Sequence, residues 1–73
     1  MRTSDPKEFG RALKNRRKDL GYTQAFLSGF SGLSVSFISE LENGKPTAEL
    51  GKALYLASLL GLDLDITERE AHD

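Results

Sequence analysis

The chain has 73 residues with ten Lys and Arg, eleven Asp and Glu, no cysteine and one histidine, His72, next to its end. A chain this short builds one small domain that buries only roughly 60% of its unfolded surface. Disulfides and thiolate metal sites are excluded, so a second subunit is the remaining support for a marginal core.

Asp5, Pro6 and Glu8 predict a helix start: a capping carboxylate, a proline at the first helical position and a glutamate three residues after the cap. Phe9, Ala12, Leu13 and Leu20 keep an apolar stripe and Gly21 ends it. Gly10 lies inside this pattern and counts as a weak point, at up to about 1 kcal/mol relative to alanine. Thr23 caps a second short helix with Phe26, Leu27 and Phe30 as its apolar residues, closed by Gly32. Ser34 caps a third, with Leu33, Phe37, Ile38 and Leu41 apolar and Asn43-Gly44 as its stop. Thr47 is the expected cap of a fourth helix, whose stripe is Leu50, Ala53, Leu54, Ala57 and Leu60, ending at Gly61.

Beyond Gly61 the period changes. Leu62-Asp63-Leu64-Asp65-Ile66 alternates strictly, as a half-buried strand does. A lone strand has backbone groups to pair. The expected solution is the same strand of a second copy, with Leu62, Leu64 and Ile66 on the shared face of an antiparallel ribbon. Residues 67–73 are a polar, acidic tail. The expected fold is therefore all-α: four to five short helices with a core over about 5–61, plus a dimerisation strand at 62–66.

Charge is unevenly spread. Residues 1–20 hold seven basic side chains (Arg2, Lys7, Arg11, Lys14, Arg16, Arg17 and Lys18) against three acidic ones. Residues 53–73 hold Arg69 against Asp63, Asp65, Glu68, Glu70 and Asp73. A basic head and acidic tail inform about partners better than the net −1 does. No apolar run reaches the roughly 18 residues of a membrane span, and the first residues lack the apolar centre of a signal peptide. A cytoplasmic protein is expected. No Ser/His/Asp or Cys/His set can be assembled, and no glycine-rich phosphate loop is present, so an enzyme is not expected.

The spacing of Gln24, Leu27, Ser28, Gly32, Leu33, Ile38 and Leu41 is that of a helix-turn-helix. Ser28 is small where two helices approach, Gly32 takes a turn geometry that side chains resist, and Leu33, Ile38 and Leu41 anchor the second helix from beneath. Its far side is then left to enter a DNA major groove.

The stretch TQAFLSGFSGLSVSFISELENGK resembles the Cro/C1-type (XRE, lambda-repressor-like) helix-turn-helix family. FISELENGKPTAELGKAL, with the leucine-rich turn and alternating tail that follow, is similar to the HipB-like antitoxins. The resemblance spans roughly residues 7–66. It implies a lambda-repressor-like bundle and a homodimer that binds a palindromic operator in double-stranded DNA, represses its own operon and neutralises a HipA-like kinase toxin. Carried onto this chain, it implies that Ser34, Val35, Ser36, Ser39 and Glu40 face the bases. Thr23, Gln24, Asn43 and Lys45 are implied at phosphates, and Arg17 with Glu42 as an internal ion pair. No cofactor or metal is implied. Family members often carry arginine or glutamine where this chain has Val35 and Ser36. Valine touches only a thymine methyl and serine is ambiguous, so direct readout is expected to be modest. Two alternatives stay open at this point: a general repressor of the same fold without a toxin, and a toxin-binding module that has lost DNA binding.

Overall fold

The computed structural model describes residues 3, 5–66 and 68. Four helices follow one another: α1 (Pro6–Asp19), α2 (Gln24–Ser31), α3 (Val35–Glu42) and α4 (Leu50–Leu59). Each of the first three begins as its sequence dictates. The Asp5 carboxylate accepts from the Glu8 N–H at 2.8 Å, Thr23 Oγ1 from the Phe26 N–H at 3.0 Å and Ser34 Oγ from the Phe37 N–H at 3.0 Å. Such caps satisfy amide donors that the first helical turn leaves unpaired.

The fourth start departs from expectation. Thr47 is not its cap. Residues 45–48 form a turn, with the Ala48 N–H on the Lys45 carbonyl at 3.4 Å, and the half-buried Ala48 packs on the core. Glu49 becomes the N-cap without a side-chain hydrogen bond. It instead pairs with Lys52 at 3.3 Å, a carboxylate placed well for the helix dipole.

The core consists of Leu13, Leu27, Ile38, Leu41, Ala53, Leu56, Ala57 and Leu60. The five whose side chains are fully enclosed, Leu13, Leu27, Ile38, Leu56 and Leu60, each contribute on the order of 1.5–3 kcal/mol by burial. The central element is α3, which packs against both α1 and α2. Among the described residues no buried side-chain nitrogen or oxygen lacks a hydrogen-bond partner.

Three expectations about faces are corrected. In α4 the buried stripe is Ala53, Leu56, Ala57 and Leu60, while Leu50 and Leu54 are exposed. Positions 53, 56, 57 and 60 give one i, i+3, i+4, i+7 face, and including Leu56 in it turns Leu50 and Leu54 outward. In α2 only Leu27 of the three apolar residues is buried; Phe26 and Phe30 are 55% and 57% exposed. Leu20 caps the C-terminus of α1 and is exposed as well.

Gly10 is the opposite of a weak point. It is buried where α1 crosses the end of α3. A Cβ there would run into the carbonyl oxygens of Leu41 and of Glu42, the latter at 2.6 Å. Only a residue without a side chain lets the two backbones approach this closely.

The strand expected at 62–66 is not formed within the described chain, whose regular elements are all helices. The alternation nevertheless has a physical expression. Leu62 and Leu64 are half-buried against the chain's own core, Asp63 and Asp65 are exposed, and Ile66 is fully exposed. A strand ladder needs a second backbone, and a single chain supplies none at this position.

Candidate nucleic-acid interface

The turn between α2 and α3 is held by short-range hydrogen bonds. Gly32 is left-handed at φ 80° and its N–H donates to the Ser28 carbonyl at 2.9 Å. Ser28 Oγ donates to the Leu33 carbonyl at 2.6 Å. The Leu33 N–H donates to Ser31 Oγ at 3.1 Å. From α4, the Tyr55 hydroxyl donates to the Ser31 carbonyl at 3.1 Å. The result is a fixed turn between α2 and α3, with Gly32 in the left-handed conformation expected of it and Ser28 held through its hydroxyl.

The far end of α3 is held by a buried polar network. Arg17 and Glu42 are 7% and 6% exposed. Arg17 Nε and Nη2 donate to the two Glu42 oxygens at 2.7 and 3.0 Å, a bidentate arrangement. Its Nη1 donates to the Tyr22 carbonyl at 2.9 Å. Gln24 Nε2 donates to Glu42 Oε1 at 3.1 Å. The hydrogen bond to Glu42 raises the Arg17 pKa, against the opposing effect of burial. Four side-chain hydrogen bonds thus join α1, the start of α2 and the end of α3. Tyr22 packs against the core and against Phe26, their ring centroids 4.9 Å apart.

What this frame presents outward is one face of α3. Val35, Ser36 and Glu40 are exposed, and Ser39 is half-buried. Ser34 is exposed, with its hydroxyl engaged as the cap. Glu40 and the exposed Lys45 form an ion pair at 3.2 Å. A lone carboxylate here would repel a phosphate, and the neighbouring ammonium balances its charge. Such an exposed pair contributes at most about 1 kcal/mol and exchanges partners readily. Asn43 is exposed at the end of α3. Thr23 and Gln24 flank the amino end of α2, where free amide donors favour anions. Of the residues expected at bases and phosphates, the structure brings Glu40 to Lys45 and ties Gln24 to Glu42 at the end of α3.

The basic head is less available than its count suggests. Arg17 is buried in its ion pair, and Arg16 Nε donates to the Leu60 carbonyl at 2.8 Å, closing the C-terminus of α4. Lys7, Arg11, Lys14 and Lys18 remain exposed; Arg2 lies outside the described residues. Residues 13–66 match the family HTH_3, helix-turn-helix. The chain belongs to this Cro/C1-type helix-turn-helix family. It is a family of DNA-binding transcriptional regulators and not of enzymes.

Among helix-turn-helix relatives, the chain is 38% identical over 65 residues to the "Uncharacterized HTH-type transcriptional regulator y4mF" of Sinorhizobium fredii (strain NBRC 101917 / NGR234), covering 89% of this chain and 86% of that one. Its fold is also that of a chain in a HipB-O4 20mer complex, with a TM-score of 0.83 at 23% identity over 96% of this chain and 99% of the other. The same TM-score, identity and coverages hold for a chain of a HipA-HipB-O2-O3 complex. No helix of the described residues is long and apolar enough to cross a membrane, and no group of His, Cys, Asp or Glu among them is arranged to hold a metal.

The sequence missed three positioning residues: Arg16 at the end of α4, Tyr55 at the turn, and Lys52, whose ammonium lies 5.9 Å from the Phe37 ring centroid. All three act between elements distant in sequence, and no local pattern marks them.

Proposed function

We propose that the chain is a dimeric, sequence-specific DNA-binding repressor that acts on its own operon and serves as a HipB-like antitoxin for a HipA-like kinase toxin. The observation that carries the DNA-binding reading is the outward face of α3. Val35, Ser36 and Glu40 are exposed on a helix whose end is tied to α1 and to the start of α2 by the Arg17–Glu42–Gln24 network. In this reading Ser34, Val35, Ser36, Ser39 and Glu40 meet base edges, Val35 against a thymine methyl and Glu40 on a cytosine amino group. Thr23, Gln24, Asn43 and Lys45 reach phosphates. With so few side chains able to read bases, DNA shape and bridging water carry part of the specificity.

The dimer is supported by a second apolar surface. A groove of about 290 Å³ is lined mainly by Pro6, Phe9, Leu41, Ala48, Leu50, Ala53, Leu54 and Leu64. Leu50 and Leu54, both exposed, leave it unfinished in a single chain. Antiparallel pairing of two 62–66 segments around residue 64 or 65 keeps Leu62, Leu64 and Ile66 on one face, where both copies close over these leucines. Two recognition helices related by the two-fold axis then lie about 34 Å apart, one duplex turn. The antitoxin role rests on the FISELENGKPTAELGKAL resemblance and on the shared fold.

Binding of the purified protein to DNA upstream of its own gene tests the proposal. Affinity should fall with salt, with a log–log slope of about −0.9 for each phosphate contacted. Ser36→Glu should remove binding while leaving the helical content and melting temperature unchanged. Undiminished affinity of Ser36→Glu would take α3 out of the interface, and a flat salt response would favour a protein-binding module. Leu64→Asp should turn a dimer into a monomer in sedimentation and weaken DNA binding with it. A dimer that persists in Leu64→Asp places the contact elsewhere.

A further inference from the structure

The basic side chains of α1 that the fold does not use form one row. Lys7, Arg11, Lys14 and Lys18 are all exposed and stand at i, i+4, i+7 and i+11. At 100° per residue they fall within about 60° of the helix circumference. Glu8 and Asp19, the acidic residues of α1, lie outside that arc. The ion pairs among the described residues join other side chains: Arg17 with Glu42, Lys45 with Glu40 and Lys52 with Glu49. For the domain by itself such a row is unfavourable. Like charges at i, i+3 or i, i+4 oppose a helix, here between 7 and 11, 11 and 14, and 14 and 18. Lys7 also stands in the first turn, where the helix dipole disfavours a cation. The row borders the side of α1 that meets the end of α3, where Gly10 abuts Leu41 and Glu42 and Arg17 pairs with Glu42. At one end Lys7 lies against the loop after α3: a Cβ on Gly44, between Asn43 and Lys45, would stand 2.9 Å from the Lys7 Cα. At the other end the Lys18 carbonyl accepts from the Gly21 N–H at 2.9 Å, in the turn that leads to Thr23 and Gln24.

We infer that Lys7, Arg11, Lys14 and Lys18 form a further phosphate-binding segment, which holds the duplex backbone between its contacts with residues 23–24 and residues 43–45. The inference rests on the proposed DNA binding and adds a surface to it. Charge selects a polyanion as the occupant, because only an array of negative charge relieves three like-charge neighbour pairs together. Two features select duplex DNA among polyanions. The row runs from one segment proposed at phosphates to the other, so a backbone that meets both ends passes along it. Its length, about 16 Å at 1.5 Å per residue, matches roughly five phosphates of one strand at 3.4 Å each. Such contacts carry no sequence information. They supply affinity that the modest base-reading set of α3 does not.

Salt titrations of DNA binding by the full chain test it, with the wild type, Arg11→Gln, Lys14→Gln and the double variant, each on the DNA upstream of its own gene and on unrelated duplex of the same length. Each substitution should lower the log–log slope by about 0.9 for every chain bound. The drop should be the same on both DNAs, because phosphates are common to them. Arg11→Lys keeps the charge and should keep the slope. Melting temperature should stay unchanged or rise slightly, since each glutamine removes like-charge neighbours. The inference is overturned if the wild type binds with a steep salt dependence and the double variant retains it, which leaves the row to an acidic protein. A loss confined to the upstream DNA overturns it as well. Absence of any salt-dependent binding by the wild type is a different result: it removes the operator-binding reading, and this inference with it.

Discussion

Glu42→Ala is expected to destabilise the fold by about 3–5 kcal/mol, the usual effect of removing one partner of a buried ion pair. The Arg17 guanidinium would stay charged, since a guanidinium keeps its proton at any ordinary pH. It would then be 7% exposed with only the Tyr22 carbonyl as a partner. Gln24 would lose its hydrogen bond in the same step. For a domain of this size each kcal/mol shifts the melting temperature by about 4–8 °C, so a fall on the order of 20 °C is expected in a thermal melt. The sign of the pKa shift excludes an alkaline dependence under ordinary conditions. A raised folded pKa gives stability that is present below the unfolded pKa and lost only as pH rises through the folded one, far into the alkaline range. The double substitution Arg17→Met with Glu42→Leu should recover much of the loss, because both buried charges go together. A loss below about 1 kcal/mol for Glu42→Ala would mean that water enters and the network does not brace α3.

Gly10→Ala is expected to destabilise by about 3 kcal/mol, although alanine is the better helix former by roughly 1 kcal/mol. The new methyl meets the backbone carbonyl oxygens of Leu41 and Glu42, and neither can yield without moving the end of α3. Overpacking against a rigid neighbour commonly costs about 1–3 kcal/mol and sometimes more. Because α3 is displaced at Glu42, DNA affinity should fall along with stability. Gly29→Ala supplies the contrast. It is the same chemical change inside a helix, with open space at the new methyl, and it should stabilise by up to about 1 kcal/mol. Chemical denaturation of the two variants side by side decides the matter. Equal effects of the same sign would remove the close α1–α3 crossing as the reason for Gly10.

Much of the fold and of the candidate interface was legible in the sequence. The caps Asp5, Thr23 and Ser34 act on amides three residues away, so the information is local. The same holds for the glycine turn at Gly32 and for the run TQAFLSGFSGLSVSFISELENGK that carries the family resemblance. Arg17 and Glu42 lie 25 positions apart, and their pairing came through that resemblance, since no helical period connects them. Faces were less legible than elements. Phe26 and Phe30 satisfy an apolar pattern as well as Leu27 does, yet α3 and the core cover only one side of α2. In α4 several apolar stripes compete, and the winning one is set by Leu56 meeting the core.

By itself, then, the sequence determined the four helices, their order, the turn geometry between α2 and α3 and the family, because caps, glycines and apolar periods act over a few residues. Tertiary structure alone decided that Thr47 does not cap α4, that Gly10 is a contact and not a defect, and that Arg16 closes α4. It also decided which aromatic and leucine side chains stay outside. Each of those outcomes depends on what a distant segment places opposite the residue. For 62–66 even that is not enough: the alternation sets a face, and the ladder that would make it a strand needs the backbone of a second chain.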